Sequence, residues 1–349
     1  MKLLSVIIPV YNVEKYIERC LDSLIVPQKQ FEKLDIVVIN DGTPDKSAEI
    51  AKQYEKKYPD TIRVIDQENC GHGGAWNHGT ELATGKYLFY LDSDDWFDTA
   101  EFGRLIDYLE SCDTDMVMIN SKIYDATKDS YTDSNRHTEL IADKIYDADK
   151  FDWIATGHGH NMTYAHDTIY RTSMMQKYLP LYCEKVMYDD IALQAIPIAI
   201  AENFVYTDLN VYRYYIGRPG QSMDPKVKAG RAADHESKVI AQVLGWIKQH
   251  KNIVPKGGTR EAYIDDCYQF MSTCNYYELA KHPYSVAKQQ LKSWDSVMRQ
   301  QFSDIPANRF VYWYRLTPSF VYIYGVKTCE IIKKGIRFLK RKITKNSIR

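Results

Sequence analysis

The sequence predicts an α/β fold, a mostly parallel sheet flanked by helices, with a helical region after it. Three observations predict it. Short apolar runs recur at residues 3–10, 35–39, 63–65, 86–91 and 116–119. Segments with helical spacing separate them. Several runs close on turn-forming or acidic residues, as at Asn40-Asp41-Gly42-Thr43-Pro44 and Asp92-Ser93-Asp94-Asp95. Such alternation calls for right-handed crossovers between parallel strands.

Taken in order, the first strand has Pro9 at its exit, and Val13, Tyr16, Ile17, Cys20, Leu21 and Leu24 space a helix. After the second strand, Asp45 caps a helix running to about Lys57. The third strand is short. A glycine-rich segment, Asn69-Cys70-Gly71-His72-Gly73-Gly74-Ala75-Trp76-Asn77, leads into a helix ending near Gly85. The fourth strand carries Tyr87-Leu88-Phe89-Tyr90-Leu91, residues 99–111 are helical, and 116–119 form another strand. Beyond Asn120 the alternation breaks. Residues 121–147 are polar and read as an insertion or hairpin, 168–171 and 204–215 as strands, and 188–201 as a helix opened by acids. Residues 229–250 and 261–292 have helical spacing. The expected organisation is a ligand-binding and catalytic region over 1–225, a helical region over 226–308 and an aromatic, basic tail over 309–349.

Of the 349 residues, 45% are hydrophobic and 26% charged, as in ordinary globular proteins. A net charge of −1 gives no overall pull toward nucleic acid. The seven cysteines are odd in number and form no CxxC pair, which argues against a disulfide framework or a zinc ribbon and fits a reducing cytoplasm. The first apolar stretch is too short for a signal peptide. No run approaches the roughly 18 apolar residues of a spanning helix.

The acidic tetrad carries the most chemistry. Three carboxylates at the exit of an apolar strand repel one another unless a cation or hydrogen bonds offset them. A hard divalent ion, Mn²⁺ or Mg²⁺, is the simplest compensation. The bland alternative is an acidic turn with Asp98 or Thr99 capping the next helix, and the two are compatible. Tyr11 offers a ring face to a flat base, or packs. Asp41 accepts from a base imide or a ribose hydroxyl, or orders its own turn. The glycines after Cys70 bring backbone close to a diphosphate, without the GxGxxG or Walker pattern. Asp189 and Asp190 head a helix, where acids also suit the helix dipole. His158, His160 and His166 match no standard zinc spacing, and they read as an acceptor-pocket loop or as a plain loop.

Together these segments resemble the inverting family 2 glycosyltransferases with a GT-A fold. The resemblance rests on Ser5-Val6-Ile7-Ile8-Pro9-Val10-Tyr11-Asn12, Val38-Ile39-Asn40-Asp41-Gly42-Thr43, Glu68-Asn69-Cys70-Gly71 with Ala75-Trp76-Asn77, and Asp92-Ser93-Asp94-Asp95-Trp96. It is strong over about residues 1–120 and looser to about 223. It implies a UDP-sugar donor, with Pro9, Tyr11 and Asp41 at base and ribose, and Asn69, Asp92 and Ser93 on the donor. Asp94, with Asp92, would hold the divalent cation. The family often has an Ala-Arg-Asn or similar basic element where this chain has Cys70-Gly71-His72-Gly73-Gly74-Ala75-Trp76-Asn77, and His72 is the implied substitute. Asp190 would be the general base, helped by Asp189. Arg218, Gln221 and Ser222 would lie in a loop over the diphosphate. The acceptor would be a hydroxyl of a glycan or lipid-linked glycan in cell-surface polysaccharide assembly.

The tail sets Ile332, Ile336, Leu339 and Ile343 on one helical face among many lysines and arginines. This pattern predicts a peripheral contact with an anionic membrane surface at the inner face of the plasma membrane; the alternative is a helix packed on the body of the protein. No nucleic-acid-binding module accompanies the charges. Association with a second copy or another protein stays open. Two rival readings are a nicotinamide-dependent oxidoreductase, which expects GxGxxG after the first strand, and a nucleotide-binding partner subunit without catalysis.

Overall fold

A computed structural model describes residues 2–134, 137–154, 163–218, 221, 225–305, 309–330 and 333. One mixed sheet organises the chain. Its strands are β1 (Leu4–Val10), β2 (Leu34–Asn40), β3 (Ile62–Asp66), β4 (Tyr87–Tyr90), β5 (Trp96–Phe97), β6 (Met116–Asp125), β7 (Ser130–Ser134), β8 (Ile145–Asp147), β9 (Thr168–Arg171) and β10 (Asn203–Ile216). The order is β3-β2-β1-β4-β9-β6-β10-β5, with β7 on β6 and β8 on β10. Strands β3, β2, β1 and β4 are parallel to one another. Strand β9 enters antiparallel between β4 and β6, so β6 and its parallel neighbour β10 run the same way as β1.

Strand β1 shows why the sheet sits inside. Leu4, Val6, Ile8 and Val10 join the core on one face, and Ile7 joins the core on the other. This is the period-2 alternation of a strand covered on both sides. On the first face lie α1 (Ile17–Asp22), α2 (Gln28–Phe31) and α5 (Thr99–Ser111), with α3 (Ser47–Lys57) packing against α1 and β3. On the second face lie α4 (Gly71–Leu82), α6 (Thr172–Gln176), α7 (Ile196–Ile200), α8 (Pro225–Gln249), α9 (Thr259–Ala280), α10 (Tyr284–Gln301) and α11 (Arg309–Leu316). Residues 319–330 form a further helix, and its Tyr322, Ile323 and Val326 belong to the same core as Ile7 and Trp76.

The GT-A-type α/β architecture is as expected, and the differences are local. The expected helix over 188–201 is a 3₁₀ turn, Asp189–Gln194, followed by the short α7, because Pro197 can open a helix but cannot continue one. The expected helix over 261–292 is two helices, broken at Pro283, whose φ of −51° and ψ of 146° are those of extended backbone. The helix spaced by Val13–Leu24 begins only at Ile17.

Candidate active site

The carboxyl ends of β1, β2 and β4 meet the start of α4, the end of β10 and the turn at Asp189. At the tetrad, Asp95 is fully buried and faces β10: the Tyr212 hydroxyl and the Tyr215 amide each donate to it at 2.7 Å. Burial, then the charges of Asp94 and Asp92, raise its proton affinity well above the usual carboxylate range. Asp95 therefore anchors the loop to β10. Asp98 does what the bland reading expected. It caps α5 by accepting from the Glu101 amide at 3.1 Å, and it pairs with Arg213 at 2.8 Å.

Asp92 and Asp94 have cationic partners. Asp92 Oδ1 lies 2.9 Å from His72 Nε2, and His72 Nδ1 lies 2.9 Å from Asp189 Oδ2. Carboxylates on both sides require both ring nitrogens to donate. Burial opposes the imidazolium, yet Asp189 and then Asp92 hold the ring's pKa well above its ordinary value. Asp94 is buried, and Arg218 Nε lies 2.5 Å from its Oδ2. Burial raises the proton affinity of Asp94; the Arg218 charge opposes this and the Asp92 charge adds to it. Asp190 stands beside this chain of charges with no ion pair and no hydrogen bond to another side chain among the described residues. Its pKa is pushed up to about 6, first by burial and then by Asp189, against the pull of His72.

The glycines of α4 make the His72–Asp189 contact feasible. At Gly71 (φ +78°) a Cβ would lie 2.8 Å from the Lys185 amide nitrogen, and at Gly73 it would run into the Cys183 carbonyl and stand 3.0 Å from Asp189 Oδ2. The segment before Asp189 closes on the helix, and the Lys185 amide donates to the Cys70 carbonyl at 2.8 Å. The glycines thus serve protein packing, not the bare backbone cradle that the sequence suggested.

On the β2 side, Asp41 is buried and its carboxylate accepts from the Gln67 side chain and from the amides of Cys70 and Gly71, at 2.7, 2.7 and 2.9 Å. It holds the start of α4, and Asn69 donates to its carbonyl at 2.9 Å. The Asx-type turn considered for Asp41 belongs to Asn40, whose Oδ1 accepts from the Thr43 amide at 3.0 Å. Pro9 lies within β1, and Tyr11 just beyond it is 52% exposed. Ser93 is buried within the tetrad. Gln221 is buried and donates to the Tyr215 carbonyl at 2.5 Å, closing the turn that carries Arg218. Ser222, His158 and His160 lie outside the described residues.

Sequence reasoning missed one contributor, Arg19. It donates to the Asp94 carbonyl at 2.8 Å and lies over the Trp96 ring at 3.7 Å. His166, which the sequence singles out with His158 and His160, stacks on Tyr214 with ring centroids 5.3 Å apart. Arg19 sits on α1, 75 positions before Asp94, and no local pattern announces the pairing.

These acids lie at the strand ends of an α/β sheet, where such folds bind ligands. The model of the family "Glycosyl transferase family 2" matches residues 5–173. The chain is 30% identical over 247 residues to the putative glycosyltransferase EpsH of Bacillus subtilis (strain 168), covering 67% of each. It is 44% identical over 115 residues to the glycosyltransferase EpsJ of the same organism, spanning 33% of either chain. The fold resembles that of S. aureus TarS 1–349 in complex with UDP-GlcNAc, with a TM-score of 0.57 and 17% identity over 88% of this chain and 93% of the other. The chain belongs to glycosyltransferase family 2.

Proposed function

We propose that this chain is an inverting glycosyltransferase that moves one sugar from a UDP-sugar to a hydroxyl of a glycan or lipid-linked glycan in cell-surface polysaccharide synthesis. One observation carries the reading: Asp92, His72 and Asp189 form a continuous charged bridge that sets the tetrad beside Asp190. Donor-side and acceptor-side groups of a displacement need such proximity. The TarS structure, solved with UDP-GlcNAc, supports a uridine nucleotide as the donor's carrier.

The base and ribose would lie between Tyr11 and the loop that Asp41 and Asn69 hold, with Pro9 at the floor. Asp92 and Ser93 would meet the ribose or sugar, with His72 alongside. Arg218 would turn from Asp94 to a phosphate, a match suited to a guanidinium fork, with Gln221 holding the strand end beside it.

The donor set fits a hard divalent cation. Asp94 and Asp92 offer oxygens in a buried field of excess negative charge. Among the described residues no three His, Cys, Asp or Glu side chains form a metal cluster, so the diphosphate would complete the shell. Mn²⁺ or Mg²⁺ bound by Asp94 and Asp92 would neutralise charge on the departing diphosphate.

Asp190 takes the proton of the acceptor hydroxyl while that oxygen bonds to the anomeric carbon. The bond from that carbon to the diphosphate breaks and UDP leaves. Asp189, fixed by His72, orients the acceptor. Attack from the face opposite the leaving group gives a β-linked product from an α-linked donor. The test is transfer from a panel of UDP-sugars by the wild type, Asp94→Asn and Asp190→Asn. Loss in both variants with folding intact is expected; unchanged turnover in both refutes the assignment.

A further inference from the structure

The aromatic C-terminal stretches divide between inside and outside. Val311, Tyr322, Ile323 and Val326 are buried. Trp313 meets Tyr322 at 5.0 Å between ring centroids, Tyr314 meets Tyr276 at 5.4 Å, and Phe310 meets Tyr277 at 5.4 Å. These contacts seat α11 and the helix of residues 319–330 on α9. The amphipathic helix expected from Ile332, Ile336, Leu339 and Ile343 lies outside the described residues.

The other face is apolar too. Tyr312 and Leu316, one turn apart on α11, are 56% and 80% exposed. Phe320, Val321 and Tyr324 share the outer side of the next helix, with Phe320 54% and Tyr324 56% exposed. A helix that is hydrophobic all round normally sits inside a core. Large apolar side chains left together in water mark an interaction surface.

The charges nearby decide what that surface meets. Lys327 stands 5.7 Å from the Tyr324 ring centroid, on the same helix. The sequence from Lys333 to Arg349 then adds eight bases and no acid. The acid at the junction, Glu330, is already engaged by Tyr277 and Lys333. An apolar face with tyrosines, continued by uninterrupted positive charge, complements an anionic lipid surface, where rings enter the headgroup layer and bases meet phosphates. A second copy of this chain would bring the same positive charge to the contact and be repelled.

We propose that the face formed by Tyr312, Leu316, Phe320, Val321 and Tyr324 docks on an anionic phospholipid membrane, and that the positive charge of the following sequence adds to the attraction. This docking does not depend on the transferase reading.

The full chain is sedimented with vesicles of phosphatidylcholine alone and of equal parts phosphatidylcholine and phosphatidylglycerol. It should pellet with the anionic vesicles only. Leu316→Glu/Phe320→Glu, both at exposed positions, should lose partition by on the order of tenfold or more at unchanged melting temperature. Leu316→Ser/Phe320→Ser gives the same comparison should the charged pair fail to fold. Protein that stays in solution with both vesicle types overturns the proposal. So does wild-type partition by a folded variant, which would leave the basic segment acting alone. A dimer by light scattering that the variant dissociates, with vesicle partition unchanged, would assign the face to a second copy and overturn it equally. The sedimentation uses no sugar donor, so a failed transferase assay leaves it unaffected.

Discussion

His72 Nδ1 lies 2.9 Å from Asp189 Oδ2, joining residues 117 positions apart. The same ring reaches Asp92 through its other nitrogen. One side chain thereby fixes the distance between the strand-end acids and the turn that carries Asp190. Replacing it by alanine leaves two carboxylates facing each other without their shared donor. Charged hydrogen bonds are worth about 1.5–3 kcal/mol, so His72→Ala should lower kcat/KM by roughly 10- to 100-fold. A melting curve and steady-state kinetics check it together.

As the proposed base, Asp190 must be ionised to accept a proton. Burial and Asp189 push its pKa up to about 6. The rate should therefore be level above that pH and fall about tenfold per unit below it. Asp190→Asn should cost roughly 10²- to 10⁴-fold in kcat and abolish this acid limb, while UDP affinity stays unchanged by calorimetry.

Asp94 is held by Arg218 at 2.5 Å. In a metal-assisted site, Mn²⁺ should tighten UDP binding by at least about tenfold, and chelation should reverse the gain. Asp94→Asn should bind UDP with little response to Mn²⁺. Calorimetry with and without the ion reads both.

Gly73 packs against the turn that carries the proposed base. A methyl group there would press on the Cys183 carbonyl and stand 3.0 Å from Asp189 Oδ2. Gly73→Ala should destabilise by roughly 1–3 kcal/mol and reduce kcat more than it alters UDP affinity, because the displaced turn carries Asp189 and Asp190.

Far from the site, buried Asp35 accepts from Arg63 at 2.8 and 3.0 Å, from the Ser5 hydroxyl at 2.8 Å, and from the Thr84 amide and hydroxyl at 2.9 and 2.8 Å. Burial alone would raise its proton affinity, but Arg63, Thr84 and Ser5 hold its pKa below the usual value. A depressed folded pKa gives stability that is present above the unfolded value and lost as pH falls through the folded one. Asp35→Ala should cost roughly 3 kcal/mol near neutral pH, less at pH 3, by urea unfolding. Transfer chemistry should survive wherever the protein is folded.

The sequence by itself determined the longer apolar strands, though not β5, β7 or β8, and with them the acid-rich exit of β4 and the acid pair at Asp189. These are local facts: period, turn chemistry and the clustering of like charges are written in consecutive residues. Tertiary structure alone decided which acids face which cations. Asp95 turned to β10 and Asp41 to the start of α4, while Asp92, Asp94 and Asp189 met His72 and Arg218 across separations of 20 to 124 positions. It also decided that β9 runs antiparallel between β4 and β6. A strand's residues specify that it is a strand. The partner and direction it takes follow from how the whole chain buries its apolar surface, and so does the role each carboxylate is left to play.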